Sequence, residues 1–232
     1  MLAKPGLNCI LILADWVEKW NNCNNENKGM SELDGLRYFL ALVLVILVPM
    51  VIAYWLIIHL GADYWRRFRT RFAYICAALA MTATGVGTWL NRDLLIGPDL
   101  GFSWWLFGAG LAIYLLSLRL ARPVRKQLRF STFAGVPEIS DTSTPLLTNG
   151  PYAIVRHPRY LMVLVGIIGW ALMANFQSAY LTSMVCIIGM LGIVALEERE
   201  LKERFGSQYL TYASEVPSII PRWRDLLKIW SL

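Results

Sequence analysis

Long stretches without a formal charge alternate with short, strongly charged segments along this chain. Tyr38 to Leu60 is one such stretch, interrupted by Pro49, which is expected to kink a helix. Phe72 to Leu90 is a second and Gly101 to Leu118 a third. Each approaches the roughly twenty apolar residues that a helix needs to cross a bilayer core of about 30 Å. Leu161 to Leu196 then runs without one charged side chain. At about 1.5 Å per residue it measures about 54 Å as helix, too long for one crossing and slightly short for two. The polar break Asn175-Phe176-Gln177-Ser178 sits near its middle. A tight hairpin of two spans is predicted, with its tip at the far membrane surface.

The pattern predicts an all-α integral membrane protein of about five transmembrane helices. Composition agrees: 56% of residues are hydrophobic and 16% charged, and the mean hydropathy is +0.47, well above the soluble norm. A net charge of +6 raises the question of nucleic acid, but no folded basic module is visible and nucleic acid is not expected as a partner. The cations instead fall into two blocks, Arg66 to Arg71 and Arg119 to Arg129, each following an apolar run. Under a five-span count both blocks lie on one side and the near-neutral links on the other. The positive-inside tendency then places the N-terminus outside and the C-terminus in the cytoplasm. A bacterial inner membrane and an endoplasmic reticulum membrane are equally compatible, and oligomeric state is not legible.

Three regions follow. Residues 1–35 read as a flexible tail without assigned function, and residues 36–120 as three transmembrane helices. Residues 121–232 carry the chemistry, with a transmembrane hairpin over 160–196 and amphipathic helices after it. The four cysteines show no metal spacing, so no metal site is expected; Cys76 and Cys186 read as small buried hydrophobes. The link after the second span, Asn91 to Leu100, carries Arg92 against Asp93 and Asp99 and is near neutral. Gly85-Val86-Gly87 reads as a close helix contact rather than a nucleotide loop. Trp104, Trp105, Trp223 and Trp230 read as an interfacial belt.

The polar connection from Arg122 to Asn149 leads into Gly150-Pro151-Tyr152-Ala153-Ile154-Val155-Arg156-His157-Pro158-Arg159-Tyr160 and straight into the hairpin. At the hairpin's other end stands Glu197-Glu198-Arg199-Glu200-Leu201-Lys202-Glu203-Arg204-Phe205-Gly206, followed by Tyr209, Tyr212 and Val216-Pro217. A hairpin returns to the side it left, so these segments are neighbours. One supplies Arg, His and Tyr, the other acids and Tyr. A zwitterionic, partly aromatic, cationic ligand such as S-adenosylmethionine requires that set. Glu198 with Lys202, Glu200 with Arg204 and Arg199 with Glu203 form i,i+4 pairs suited to a solvated face. Glu197 has Leu201 at that spacing and directly follows the apolar run. An acid so placed at the membrane boundary is a functional candidate, ahead of Glu198. Each short motif also has a bland reading: Gly150-Pro151 as a turn, Pro158 as a helix entry, and His157 as a structural hydrogen-bonder.

Gly-Pro-Tyr, Arg-His-Pro-x-Tyr, a helical hairpin, Glu-Glu, Phe-Gly-x-x-Tyr-x-x-Tyr and Val-Pro together resemble the isoprenylcysteine carboxyl methyltransferase family. The membrane phospholipid methyltransferases carry a related block. The likeness covers about residues 140–221. It implies a cytoplasmic S-adenosylmethionine pocket reached through the membrane by a lipophilic small-molecule or lipidated acceptor. The implied cofactor contacts are Thr144, Pro145, Leu146, Leu147, Tyr152, His157, Pro158, Arg159, Tyr160, Glu197 and Glu198, with catalysis resting on Arg156, His157 and Glu197. One departure stands out: the family pattern places an arginine about one turn before the acidic pair, and here that stretch is Gly192-Ile193-Val194.

The expected activity is S-adenosylmethionine-dependent methylation of a carboxylate, thiol or amine on a membrane-associated acceptor. Two other classes compete. A membrane sterol-type reductase shares this kind of C-terminal region but needs further basic residues for NADPH, and Arg156 with Arg159 are few for that. A non-enzymatic membrane protein fits the hydropathy but gives no reason for the clustered motifs.

Overall fold

The computed structural model describes residues 32–60, 64–65, 70–127 and 145–225. Its long helices are α1 (Glu32–Leu60), α2 (Thr70–Leu90), α4 (Trp104–Gln127), α5 (Pro158–Ala174) and α6 (Gln177–Phe205). The short helices are α3 (Arg92–Leu95) and α7 (Ser207–Glu215). Four of these, α1, α2, α4 and α6, are long and apolar enough to cross a membrane, and α5 is a shorter apolar helix. The all-α membrane architecture expected from the hydropathy is thus the observed one. Residues 1–31, Thr144, Trp230 and most of the connection after α4 lie outside the described residues, as do Cys9 and Cys23.

The hairpin is formed by α5 and α6. At 17 residues α5 spans about 26 Å, short of a bilayer core of about 30 Å. It is bounded by Pro158 at its first turn and by Asn175, which adopts φ 50° and ends the helix in the left-handed conformation. Helix α6 begins two residues later and, at 29 residues, runs about 44 Å. It therefore overshoots the membrane and carries Glu197 to Phe205 beyond the apolar run.

Packing order follows from small residues. Helix α4 lies chiefly on α5, where Gly110 and Gly169 face each other. A Cβ on either would fall 2.6 Å from the other's carbonyl oxygen, so only hydrogen fits. Ser117 packs over Gly166 at the next contact. Helix α1 packs on α2, and its opposite flank meets α6 and α5. In the second span Gly85 accommodates the Met50 side chain of α1, whereas Gly87 faces open space. Helix α1 continues through Pro49 without interruption.

One end of the bundle is closed by a buried cation. Arg37, 1% exposed, pairs with Asp99 and with Asp34 at 3.0 Å. It also donates to the carbonyl of Ala174 at 3.1 Å, and its guanidinium lies 5.4 Å from the Phe176 ring centroid and 5.9 Å from that of Phe102. The link before α4 joins the hairpin tip directly: Leu100 N–H donates to Asn175 O, and Gln177 N–H to Pro98 O. Asp99 belongs to Arg37, and Arg92 pairs with Asp93 at 3.7 Å while covering the Trp89 ring. Trp104, Trp105 and Trp223 are largely exposed, as a belt requires.

Candidate active site

The other end of the bundle holds the polar motifs. Gly150 has φ +59°, a conformation that favours glycine, and opens a single 3-10 turn, Gly150–Ala153, with Pro151 buried. The chain then passes alongside Pro217 and Ser218. Arg156 N–H donates to Pro217 O at 2.8 Å, and His157 N–H to Ser218 O at 2.9 Å. Helix α7, set off from α6 by Gly206 at φ +53°, folds back so that the Tyr212 hydroxyl donates to the Tyr152 carbonyl at 2.6 Å. These bonds lace the segment before the hairpin to the chain that follows α6.

Glu198 is the hub of the network. Its Oε1 accepts from Arg156 Nη2 at 2.5 Å and Nε at 3.2 Å, and from Ser218 Oγ at 2.8 Å, with His157 Nε2 at 3.3 Å. The remaining Arg156 nitrogen donates to the carbonyls of Val216, at 2.6 Å, and Ala213, at 2.9 Å. Burial works against the Arg156 charge, but the hydrogen bonds and attraction of Glu198 outweigh it and hold its pKa above the ordinary value. The sequence reading of Glu198 as a solvated partner of Lys202 is corrected: its side chain is 17% exposed and pairs across the fold, 42 residues away. Arg199 and Glu203 do form their i,i+4 pair, at 3.1 Å on the open face.

Glu197 turns to a different set. Its Oε2 lies 3.6 Å from His157 Nδ1 and 3.6 Å from Arg159 Nη2. His157, 3% exposed, thus has one acid at each ring nitrogen. Arg159 Nη2 donates to the Tyr160 hydroxyl at 2.8 Å, and its guanidinium covers the Trp55 ring of α1 at 4.5 Å. Burial, with Glu197 adding, pushes the Tyr152 hydroxyl up to about 12 against the pull of Arg159. Burial and Glu198 do the same for Tyr209, also to about 12. Both hydroxyls remain neutral at physiological pH.

Tyr152, Arg156, His157, Pro158, Arg159, Tyr160, Glu197 and Glu198 are therefore brought together. Pro145, Leu146 and Leu147 lead into the turn, with Pro145 and Leu147 exposed, and take no part in the hydrogen bonds of the described residues. Sequence reasoning missed Ser218 and Trp55. Ser218 carries no motif, and Trp55 reads as one more apolar residue of the first span.

A cavity of about 330 Å³ lies on the membrane side of this cluster, between α1, α5 and α6. Val48, Ile52, Met190 and Ile193 are among its apolar walls, and Trp55, Arg159 and Tyr160 contribute its polar part.

The phospholipid methyltransferase family model matches residues 105–208 of the chain. Protein-S-isoprenylcysteine O-methyltransferase B of Arabidopsis thaliana is 30% identical over 132 residues, covering 56% of this chain and 66% of that protein. The rat protein-S-isoprenylcysteine O-methyltransferase is 30% identical over 156 residues, covering 62% of this chain and 52% of the relative. Methanethiol S-methyltransferase of Pseudomonas deceptionensis is 28% identical over 183 residues, covering 78% and 58%. In each case the chain spans 66% or less of the relative's own length. No solved structure matches the chain significantly. The likeness to the isoprenylcysteine carboxyl and phospholipid methyltransferases carried by the motifs is borne out by these matches.

Proposed function

We propose that the chain is an S-adenosylmethionine-dependent methyltransferase acting on a lipidic or small apolar membrane-associated acceptor. The observation that carries this reading is the placing of Glu197, His157 and Arg159 at the boundary of a membrane-embedded apolar cavity, with Arg159 and Tyr160 in its wall. A polar donor site and an apolar acceptor site then share a border. The matched relatives, methyltransferases by name, support the same activity.

The donor set suits the methyl donor chemically: a carboxylate at Glu197 for an ammonium, and the faces of Tyr152 and Tyr160 for an aromatic base and a sulfonium. When bound, S-adenosylmethionine supplies an electrophilic methyl group on a positively charged sulfur. The residues around it need to align two reactants and exclude water, which supplies up to about 7–11 kcal/mol of the barrier in favourable cases. Arg156 has its guanidinium committed to Glu198 and to two carbonyls, so its role is to position the segment that carries His157. His157 and Glu197 are the groups placed to take a proton if the acceptor carries one. Tyr160 and Arg159 form the border on the acceptor side. This end of the bundle, where Arg125 and Lys126 stand in the last turn of α4, is assigned to the cytoplasm.

Calorimetric titration of the purified full chain with S-adenosylhomocysteine and with NADPH tests the reading. Micromolar binding of S-adenosylhomocysteine, weakened at least tenfold by Glu197→Gln, is expected. Binding of NADPH alone, or of neither, overturns it.

A further inference from the structure

Two large apolar side chains stand in the open beyond the last span. Ile220 is 80% exposed and Trp223 87%. Lipid tails account for exposed apolar residues along the spans. By residue 220, however, α6 has left its apolar run at Glu197 and α7 has folded back over the site. A bare indole beside a bare isoleucine in such a place marks a contact surface.

The height of the segment along the bundle says what that surface is. Arg156 N–H donates to Pro217 O at 2.8 Å, and His157 N–H to Ser218 O at 2.9 Å. His157 caps α5, so residues 217–218 lie at the mouth of that apolar helix. Ile219, 8% exposed, turns inward and joins the core that contains Tyr160 and Ile193. The chain therefore emerges at residue 220 level with the membrane boundary. Tryptophan is favoured at that level, because its ring is apolar while its N–H stays wet.

Charge narrows the partner further. Arg222 and Arg224 flank Trp223 and are both exposed, with Asp225 half-buried behind them. They belong to a tight turn closed by Asp225 N–H on Arg222 O at 2.8 Å. Arg125 and Lys126 of α4 are exposed at the same end, where Gln127 lies against Gly150. Cations around an aromatic tip suit a leaflet rich in anionic phospholipid, where each arginine strengthens binding about fivefold.

We infer that residues 220–224 are a docking turn for anionic phospholipid headgroups. Ile220 and Trp223 enter the interface, and Arg222 and Arg224 meet the phosphates. That contact steadies Pro217 and Ser218, and through them the segment that carries Arg156 and His157. Docking goes beyond the methyltransferase reading and does not depend on it.

The test is amide hydrogen exchange of the full chain in nanodiscs loaded with one copy each. The discs are phosphatidylcholine alone, or phosphatidylcholine with a third of the lipid replaced by phosphatidylglycerol. Peptides covering 216–225 are expected to exchange at least fivefold slower in the phosphatidylglycerol discs, and high salt should erase the difference. Arg222→Gln combined with Arg224→Gln should erase it at low salt too. Ile220→Ser combined with Trp223→Ser should quicken exchange of 216–225 in both lipids. It should also quicken, at least twofold, peptides covering 150–157, whose Arg156 and His157 amides donate to Pro217 and Ser218. Peptides from α5 and α6 should be unchanged in every variant, which shows that the bundle stays folded. Soluble glycerol 3-phosphate added to phosphatidylcholine discs should not slow 216–225. Equal exchange in the two lipids, slowing that survives high salt or the paired arginine substitutions, or slowing by the soluble phosphate would overturn the docking. Unchanged exchange at 150–157 while 216–225 quickens would overturn the link to His157.

Discussion

Arg156 and Glu198 meet at 2.5 Å across 42 residues of chain, and through that contact the turn before the hairpin is tied to the helix that leaves it. The pair stands beyond the apolar run of α6, with both side chains largely withdrawn from water. Glu198 also fixes Ser218, and Arg156 fixes the carbonyls that end α7. Its neighbour Glu197, one residue earlier on the same helix, faces His157 and Arg159 instead. Two adjacent acids thus divide between two sets of partners, one tying α6 to Arg156 and Ser218 and the other to His157 and Arg159.

That division predicts a separation of effects. Glu198→Gln should lower stability by about 2–4 kcal/mol, because the amide oxygen still accepts but no longer carries the charge that balances the partly buried Arg156 guanidinium. Glu197→Gln should cost under about 1 kcal/mol and act on ligand binding instead. A double-mutant cycle of Arg156→Ala with Glu198→Ala, followed by chemical unfolding in detergent, should show a coupling of about 2 kcal/mol. Additive effects would refute the pairing.

Arg37 predicts the stability of the opposite end. Arg37→Ala removes the cation that links α1, the link before α4 and the hairpin tip, and should cost about 3 kcal/mol. Asp99→Asn should be milder, about 1 kcal/mol, since Asp34 and two carbonyls still face the guanidinium. Amide exchange checks the location: protection at Leu100 and Gln177, whose N–H groups bridge link and tip, should fall first in Arg37→Ala.

These two clusters differ in how far the sequence revealed them. The spans, the hairpin and the shared side of the polar motifs were legible, because a bilayer demands uncharged runs of a set length and a hairpin must return where it began. The Arg199–Glu203 pair was legible for the same kind of reason, local helix geometry. Glu198 was not. Its i+4 neighbour is a lysine, and only the packing of Arg156, His157 and Ser218 against α6 supplies the competing partners. Arg37 was hidden because it flanks an apolar run and reads as an ordinary boundary cation. The cavity was hidden too, since Trp55, Arg159 and Ile193 are far apart in the chain and each has an unremarkable apolar or boundary setting. Position within one element follows from spacing, whereas partners across elements need the packing itself.

Tyr152 and Tyr209 predict a pH dependence. Both hydroxyls are pushed from the ordinary value near 10 to about 12 by burial, Glu197 adding at Tyr152 and Glu198 at Tyr209. Between those values the unfolded chain has lost these protons while the folded chain keeps them. Stability contributed by the neutral hydroxyls is therefore fully present below pH 10 and is lost as pH rises through about 12. Unfolding free energy should fall across that window, and Tyr152→Phe and Tyr209→Phe should each flatten the slope. A slope unchanged in both variants would show that other groups set it.

The crossing of α4 and α5 gives the sharpest steric prediction. Gly110 and Gly169 meet with each α-carbon against the other's backbone carbonyl, so an added methyl group on either overlaps a main chain that cannot rotate away. Gly110→Ala and Gly169→Ala should each destabilise by about 1–3 kcal/mol through forced separation of the helices. Gly108 lies two residues from Gly110 on the same helix and faces open space, so Gly108→Ala should be neutral or slightly stabilising through lower chain entropy. Because α5 carries Arg159 and Tyr160 at its first turn, a shifted α5 also moves the wall of the cavity. Thermal unfolding of the three variants beside S-adenosylhomocysteine binding checks both parts: the two crossing variants should lose stability and affinity together, and Gly108→Ala should lose neither.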